Sequence, residues 1–341
     1  MSDHSLKIPA RARFTAVATT ILLLGFVLQL DAYEPGTRVA VVDGFWEING
    51  KPTYEGSDTE GLLMGLRMVN ATFNDRNQST TPKGFDADKN TEAFLKRLPD
   101  YRALGLNTIL LNLQGGDPGY PGSLNSAFNP DGSLRKEELE RIASVIETCD
   151  KLGLVVILGY FSPAQDQVLK NEAAVKAGVS NASKWLKARG YTNVLVQVAE
   201  EHTSKKYKHG IIASPEGCAA LIKMARAESP KLLISASGAP NGRVANEVGD
   251  EANILLPRFN STPLERFNLM VVKLAKRSKA IISVDDSKTG AAAAAGMRLC
   301  VESLCSWTYS NLKTNQHYPF KYQGSADDPA VYGELKKLTG K

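Results

Sequence analysis

Two acidic pairs, Glu200-Glu201 and Asp285-Asp286, each close a short apolar run, VLVQVA before the first and AIISV before the second. A polar side chain that follows a buried strand emerges at the strand's end, where connecting loops gather and ligands bind. Carboxyl groups from two such ends can flank a single bond. One then protonates the departing oxygen while the other attacks, or activates a water, from the opposite side, which is the requirement for cleaving a glycosidic linkage. The competing use of Asp286 and Ser287 is to cap the helix expected over 289–304, because short polar side chains accept hydrogen bonds from the free N–H groups of a helix start. Capping suits Glu201 less well, since a loop beginning with His202 follows it.

Placing those pairs requires a scaffold, and the sequence repeats one beat eight times. Apolar runs fall at 62–69, 108–113, 155–159, 194–199, 232–236, 253–256, 280–284 and 306–309. Helical spacing of apolar residues follows each, at 91–104, 136–152, 171–188, 215–227, 241–248, 263–277, 290–304 and 329–338. Gly105, Gly153 and Gly190 stand where three of these helices end, a position that favours a left-handed residue. Near-continuous apolar strands alternating with helices make a parallel sheet covered by those helices. Eight units predict an α/β fold, a (β/α)8 TIM barrel, over residues 33–341 as one domain. An open nucleotide-binding sheet would show a glycine-rich phosphate turn, and neither GxGxxG nor GxxxxGKS occurs. Ahead of the barrel, RVAVVDGFWEINGKP contains Asp43-Gly44 and Asn49-Gly50, turn-forming dipeptides that predict a short N-terminal β-hairpin.

In such a barrel only the C-terminal ends of the strands are open to ligands. Those ends carry Arg67 and Asn70, Asn112 and Gln114, Tyr160, then Glu200, Glu201 and His202, Ser235 and Ser237, Arg258 and Asn260, Asp285 and Asp286, and Trp307 and Tyr309. Amides and carboxylates bond sugar hydroxyls in pairs, and aromatic faces stack on the C–H face of a pyranose, so a carbohydrate is the expected partner. Arg67 has two readings, orienting a carboxylate through its forked guanidinium or serving as a buried ion-pair partner. His202 and His209 lack a third ligand at usable spacing and read as hydrogen-bonding groups, so neither a metal nor an organic cofactor is expected.

TNVLVQVAEEH resembles the fourth-strand signature of clan A glycoside hydrolases of the cellulase-like family 5 type, in which Asn-Glu ends an apolar strand. That resemblance gives the acid/base role to Glu201. KAIISVDDS is similar to the seventh-strand signature carrying the nucleophile, which falls on Asp285, and SLCSWTYSN resembles the eighth strand, whose tryptophan floors a sugar subsite, here Trp307. FWEINGKPTYEG resembles the opening hairpin of the same class, and the similarity runs over about residues 38–338. It implies a hydrolase of β-linked oligo- or polysaccharide with Glu201 and Asp285 catalytic, and with Arg67, Asn112, Gln114, Tyr160, Glu200, His202, Asn260, Asp286, Trp307 and Tyr309 around the substrate. Glu201 is the expected proton donor, helped by the negative charge of Glu200 and Asp285.

The sequence departs from that pattern twice. Glu200 replaces the asparagine that donates to the sugar 2-hydroxyl, and Asp285 is a methylene shorter than the expected glutamate. Retaining enzymes hold their carboxyls about 5–5.5 Å apart and inverting ones roughly 6.5–9.5 Å, so the shorter side chain leaves the stereochemical outcome open. Both departures also fit a non-hydrolytic carbohydrate-binding barrel.

The net charge of +5 is spread along the chain, and its one local cluster, Lys205, Lys206 and Lys208, lacks interleaved aromatics, which argues against nucleic acid as a partner. Residues 1–32 read as a signal peptide or signal anchor: Lys7, Arg11 and Arg13 precede an uncharged run over 14–28, then Asp31 and Ala32. The run is short against the roughly 20 residues of a membrane span. An exported protein follows, periplasmic or extracellular, held at a membrane only where that leader is uncut. Cys149, Cys218, Cys300 and Cys305 are too sparse for a disulfide framework and read as buried thiols.

Overall fold

Strands that pack against side chains on both faces must be apolar throughout, and the eight runs were found on that criterion. The computed structural model describes residue 1 and residues 33–115, 122–163, 165–314 and 316–341, so the expected leader lies outside the described residues. Three short strands come first, β1 (Val39–Val42), β2 (Phe45–Ile48) and β3 (Lys51–Pro52). Seven more follow: β4 (Met64–Arg67), β5 (Thr108–Asn112), β6 (Val155–Phe161), β7 (Val194–Ala199), β8 (Leu233–Ser235), β9 (Ile282–Asp286) and β10 (Ser306–Tyr309). These seven form one sheet in the order β8-β7-β6-β5-β4-β10-β9, and every pairing is parallel. Around it lie α1 (Ala87–Leu95), α2 (Leu98–Ala103), α3 (Lys136–Lys151), α4 (Glu172–Arg189), α5 (Gly210–Ala213), α6 (Pro215–Glu228), α7 (Asn246–Glu251), α8 (Phe267–Ala275), α9 (Gly290–Glu302) and α10 (Pro329–Thr339).

The sixth expected strand is the main departure. Its residues make only single parallel bridges, Ser237 to Leu256 on one side and Leu255 to Ile281 on the other. Pro257 has no N–H to continue a ladder, which limits the run to that brief contact. The sheet is therefore curled and resembles an incomplete (β/α)8 barrel. A second departure is the helix expected over 91–104, which divides into α1 and α2. Pro99 sits in the first turn of α2, a position that tolerates its missing donor, whereas a helix interior would not. The helix expected over 241–248 starts only at Asn246.

Local chemistry fixes several boundaries. Asp86, Asn171, Ser214 and Asp328 accept from first-turn N–H groups of α1, α4, α6 and α10, each such cap contributing about 1 kcal/mol. Gly190, at φ 68°, ends α4 in the left-handed conformation that its place in the sequence implied.

Antiparallel β1, β2 and β3 close the N-terminal end of the sheet. Trp46 of β2 is buried in a cluster with Leu63, Leu110, Val155, Leu195, Ile254 and Ile282, and the Val39 N–H donates to the Thr192 carbonyl at 3.0 Å. Burying an indole of this size contributes about 4–6 kcal/mol of transfer free energy. With that end sealed, the opposite end is left for ligands. Residues Glu34–Lys341 form one compact unit, and among the described residues no helix is long and apolar enough to cross a membrane.

Candidate active site

At the C-terminal ends of the strands, a cavity of about 320 Å³ is lined by Arg67, Glu200, Glu201, Arg258, Asn260 and Asp285, with Ser162, Ser204, Lys206, Ser287 and Ser310 among its other polar groups. The volume lies at the low end of the roughly 300–1,000 Å³ range of small-molecule sites. A larger hollow of about 600 Å³ beside β1 and α4 has no carboxylate in its wall and offers no acid–base pair.

Three carboxylates and two guanidiniums are interleaved here. Arg67 on β4 reaches Glu200 Oε2 with Nη2 at 2.5 Å, and its Nε stands 3.6 Å from Asp285 Oδ1. Glu200 Oε2 also accepts from Ser162 Oγ at 3.1 Å and from Asn112 Nδ2 at 3.4 Å. Arg258 donates from Nη1 to Glu201 Oε2 at 2.6 Å while its Nε lies 3.8 Å from Asp285 Oδ2. Glu201 and Asp285 thus converge on opposite edges of one guanidinium. Their backbones are unusual as well, with φ at 46° for Glu201 and 59° for Asp285. For residues with a Cβ this region costs of order 1–3 kcal/mol, and such outliers gather at functional sites. Neighbours hold each one in place: Glu201 N–H donates to Ser237 Oγ at 3.0 Å, and Asp285 N–H to Thr308 Oγ1 at 2.9 Å.

The carboxyl of Asp285 is buried and neither oxygen has a hydrogen-bond partner. Burial raises its pKa above the ordinary carboxylate value; Arg67 and Arg258 pull it down, and Glu200 and Glu201 add to the rise. Burial opposes the charge on Arg258, but Asp285, Glu200 and Glu201 outweigh it and hold that pKa above the usual guanidinium value. His202, beside the pair, is fully buried with both ring nitrogens unpartnered, and desolvation lowers its pKa to about 4.

Of the residues read from the sequence, Arg67, Glu200, Glu201, Asn260 and Asp285 line the cavity, and Asn112 braces Glu200. The others point elsewhere. On β10, Thr308 faces the sheet interior, where it packs against Gly65, so Trp307 and Tyr309 face the helices instead. Trp307 is fully buried and donates from Nε1 to Asp286 Oδ2 at 3.0 Å, while Tyr309 donates to Asp328 Oδ2 at 2.6 Å. Asp286 sits behind the sheet against Gly296 of α9, where a Cβ would lie 2.9 Å from its Oδ2. It does not cap α9, whose Gly290 N–H goes to Asp328. Tyr160 bonds Ser183 of α4 at 3.1 Å, and Gln114 bonds Ser126 and the Gln165 carbonyl. None of these five lines the cavity. His209 pairs with Asp166 at 2.9 Å. Arg258, at the centre of the site, is a residue to which sequence reading gave no role. Its signal was its setting: an arginine directly after the apolar run ILLP must find carboxylates, since a buried cation without a partner is costly.

Several solved structures share this architecture. A Bacteroides vulgatus protein whose assignment as a glycoside hydrolase is provisional superposes with a TM-score of 0.62 at 12% identity, covering 88% of this chain and 60% of that one. A broad-specificity endoglucanase of glycoside hydrolase family 5, subfamily 4, from Clostridium longisporum gives 0.57 at 10% identity over 84% of this chain and 99% of its own. The endo-1,4-β-mannanase of Rhizomucor miehei gives 0.57 at 10% identity, over 89% and 100%. No family model matches the sequence, and no curated protein matches it either. At these identities the likeness is one of fold: a clan-A-like glycoside hydrolase architecture with a parallel sheet at its core.

Proposed function

We propose that this protein is an exported glycoside hydrolase acting on a β-linked oligo- or polysaccharide, with Glu201 as proton donor and Asp285 as nucleophile or base. The observation that carries this reading is the convergence of both carboxyls on one cavity, with Arg258 between them. Left-handed backbone at both residues and the glycosidase-like fold support it. In this reading the barrel is closed, with the bridges at Leu255 and Leu256 taking the place of its sixth strand, and residues 1–32 are the leader. The test is a screen of the purified protein against β-glucans, mannans, xylans and aryl β-glycosides, followed by Glu201→Gln and Asp285→Asn. Turnover that survives both substitutions at the wild-type rate would end the assignment.

A second reading has its own observation. The 2.6 Å contact to Arg258 occupies the carboxylate that would have to protonate the leaving group, which suits a barrel that binds carbohydrate without cleaving it. Saturable binding in the same screen with no product from any glycoside would decide for it.

A further inference from the structure

Among the described residues the cavity wall contains no aromatic ring, and its apolar members are Pro163 and Leu312. Neutral sugars are usually gripped through a ring face, so this wall is poorly furnished for them. It offers hydroxyls and interleaved carboxylates and cations instead. Arg67 and Arg258 each make one side-chain hydrogen bond, to Glu200 and to Glu201, and each lies near Asp285. The Nε of Arg258 is buried without a hydrogen-bond partner, and Asp285 at 3.8 Å is beyond bonding distance. A buried guanidinium with five donors and an edge left over calls for another acceptor. Lys206 stands in the same wall.

We infer that the ligand carries its own carboxylate, a uronate sugar unit, which displaces Glu201 from Nη1 of Arg258 and takes the fork formed by Nη1 and Nη2, the second of which makes no hydrogen bond to the described residues. This deepens the carbohydrate reading above and rests on it. A planar carboxylate matches the two parallel N–H groups of arginine, which a hydroxyl cannot. The exchange also answers the difficulty raised by the Glu201–Arg258 contact. A ligand carboxylate that takes Nη1 of Arg258 frees Glu201 Oε2 from its only side-chain partner there among the described residues and leaves it open to the leaving group. The proton donor is then assembled by the substrate that needs it.

Isothermal titration of the full chain with β-linked glucuronate and mannuronate trisaccharides, each beside its carboxyl-reduced form and a sulfated neutral trisaccharide, tests this directly. A uronate should bind about tenfold or more tightly than its reduced form. Arg258→Gln should erase the preference, and Arg258→Lys, which keeps charge but loses the fork, should retain part of it. Equal binding of the reduced form, a preference that outlives Arg258→Gln, equal binding of the sulfated sugar, or no uronate binding would each overturn the inference. Turnover separates the two claims. A uronate preference without cleavage removes the hydrolase reading alone, and cleavage of neutral glycosides as fast as uronates removes the inference alone.

Discussion

Glu200 and Glu201 both turn toward the cavity, whereas Asp285 turns inward and Asp286 goes behind the sheet to Trp307. Each pair contains one left-handed residue, the second member of the first pair and the first member of the second. Along an extended strand successive side chains alternate between faces, and a left-handed residue breaks that alternation. The break comes after the strand in β7 and within it in β9, so similar dipeptides deliver two carboxyls to the site in one case and one in the other. Acidity at a strand end therefore says little until the local backbone is known.

The largest test of this contrast is catalytic. Glu201→Gln and Asp285→Asn should each lower kcat on an accepted glycoside by roughly 10²–10⁴-fold while the fold persists by circular dichroism. Asp286→Ala should do the reverse. It strands the buried Trp307 N–H and should cost about 2–3 kcal/mol in urea denaturation, with kcat per folded molecule unchanged. Loss of activity there without loss of stability would erase the distinction between the two aspartates.

The pH dependence of stability sharpens the comparison further. His202 is depressed from 6.5 to about 4 on folding, so its contribution is complete above pH 6.5 and is lost as the pH falls through 4. It amounts to as much as about 3 kcal/mol, and His202→Phe should flatten that acid limb in melting curves. Asp285 has the opposite sign. Its raised pKa gives stability that is present below the ordinary carboxylate value and lost as pH rises through the folded one, so Asp285→Asn should gain more in Tm at pH 7 than at pH 4.

The smallest effect concerns left-handed backbone that serves no site. Leu304, at φ 57° and 63% exposed, follows α9 where glycine is usual. Leu304→Gly should add about 1 kcal/mol in the same denaturation assay, because the backbone there needs no Cβ.

The strand–helix alternation was legible because apolar runs and 3.6-residue spacing are written directly in the chain. Ends of elements were legible where Gly190 or Ser214 supplies the stop or the cap. The face each strand side chain occupies was not, because a sheet covered on both sides has no polar face to set the phase. WTY on β10 offers two large rings and one small hydroxyl, and the resemblance to hydrolases sent the rings to the pocket; Thr308 instead takes the interior face, against Gly65, and the rings face the helices. Arg258 was placed on the rim but given no role for a related reason. Its partners Glu201 and Asp285 come from other parts of the chain, and no local pattern announces a pairing across the cavity.

Trp46 gives the domain an awkward order of assembly. The indole that stoppers the floor belongs to the earliest strands of the domain, yet part of its seat, Ile282 and Val284, is made almost at the other end. What is synthesised first is seated late, since the socket is complete only once β9 has been added to it. Contacts so distant in sequence slow folding, and a chain interrupted before β9 would leave that ring with its seat unfinished.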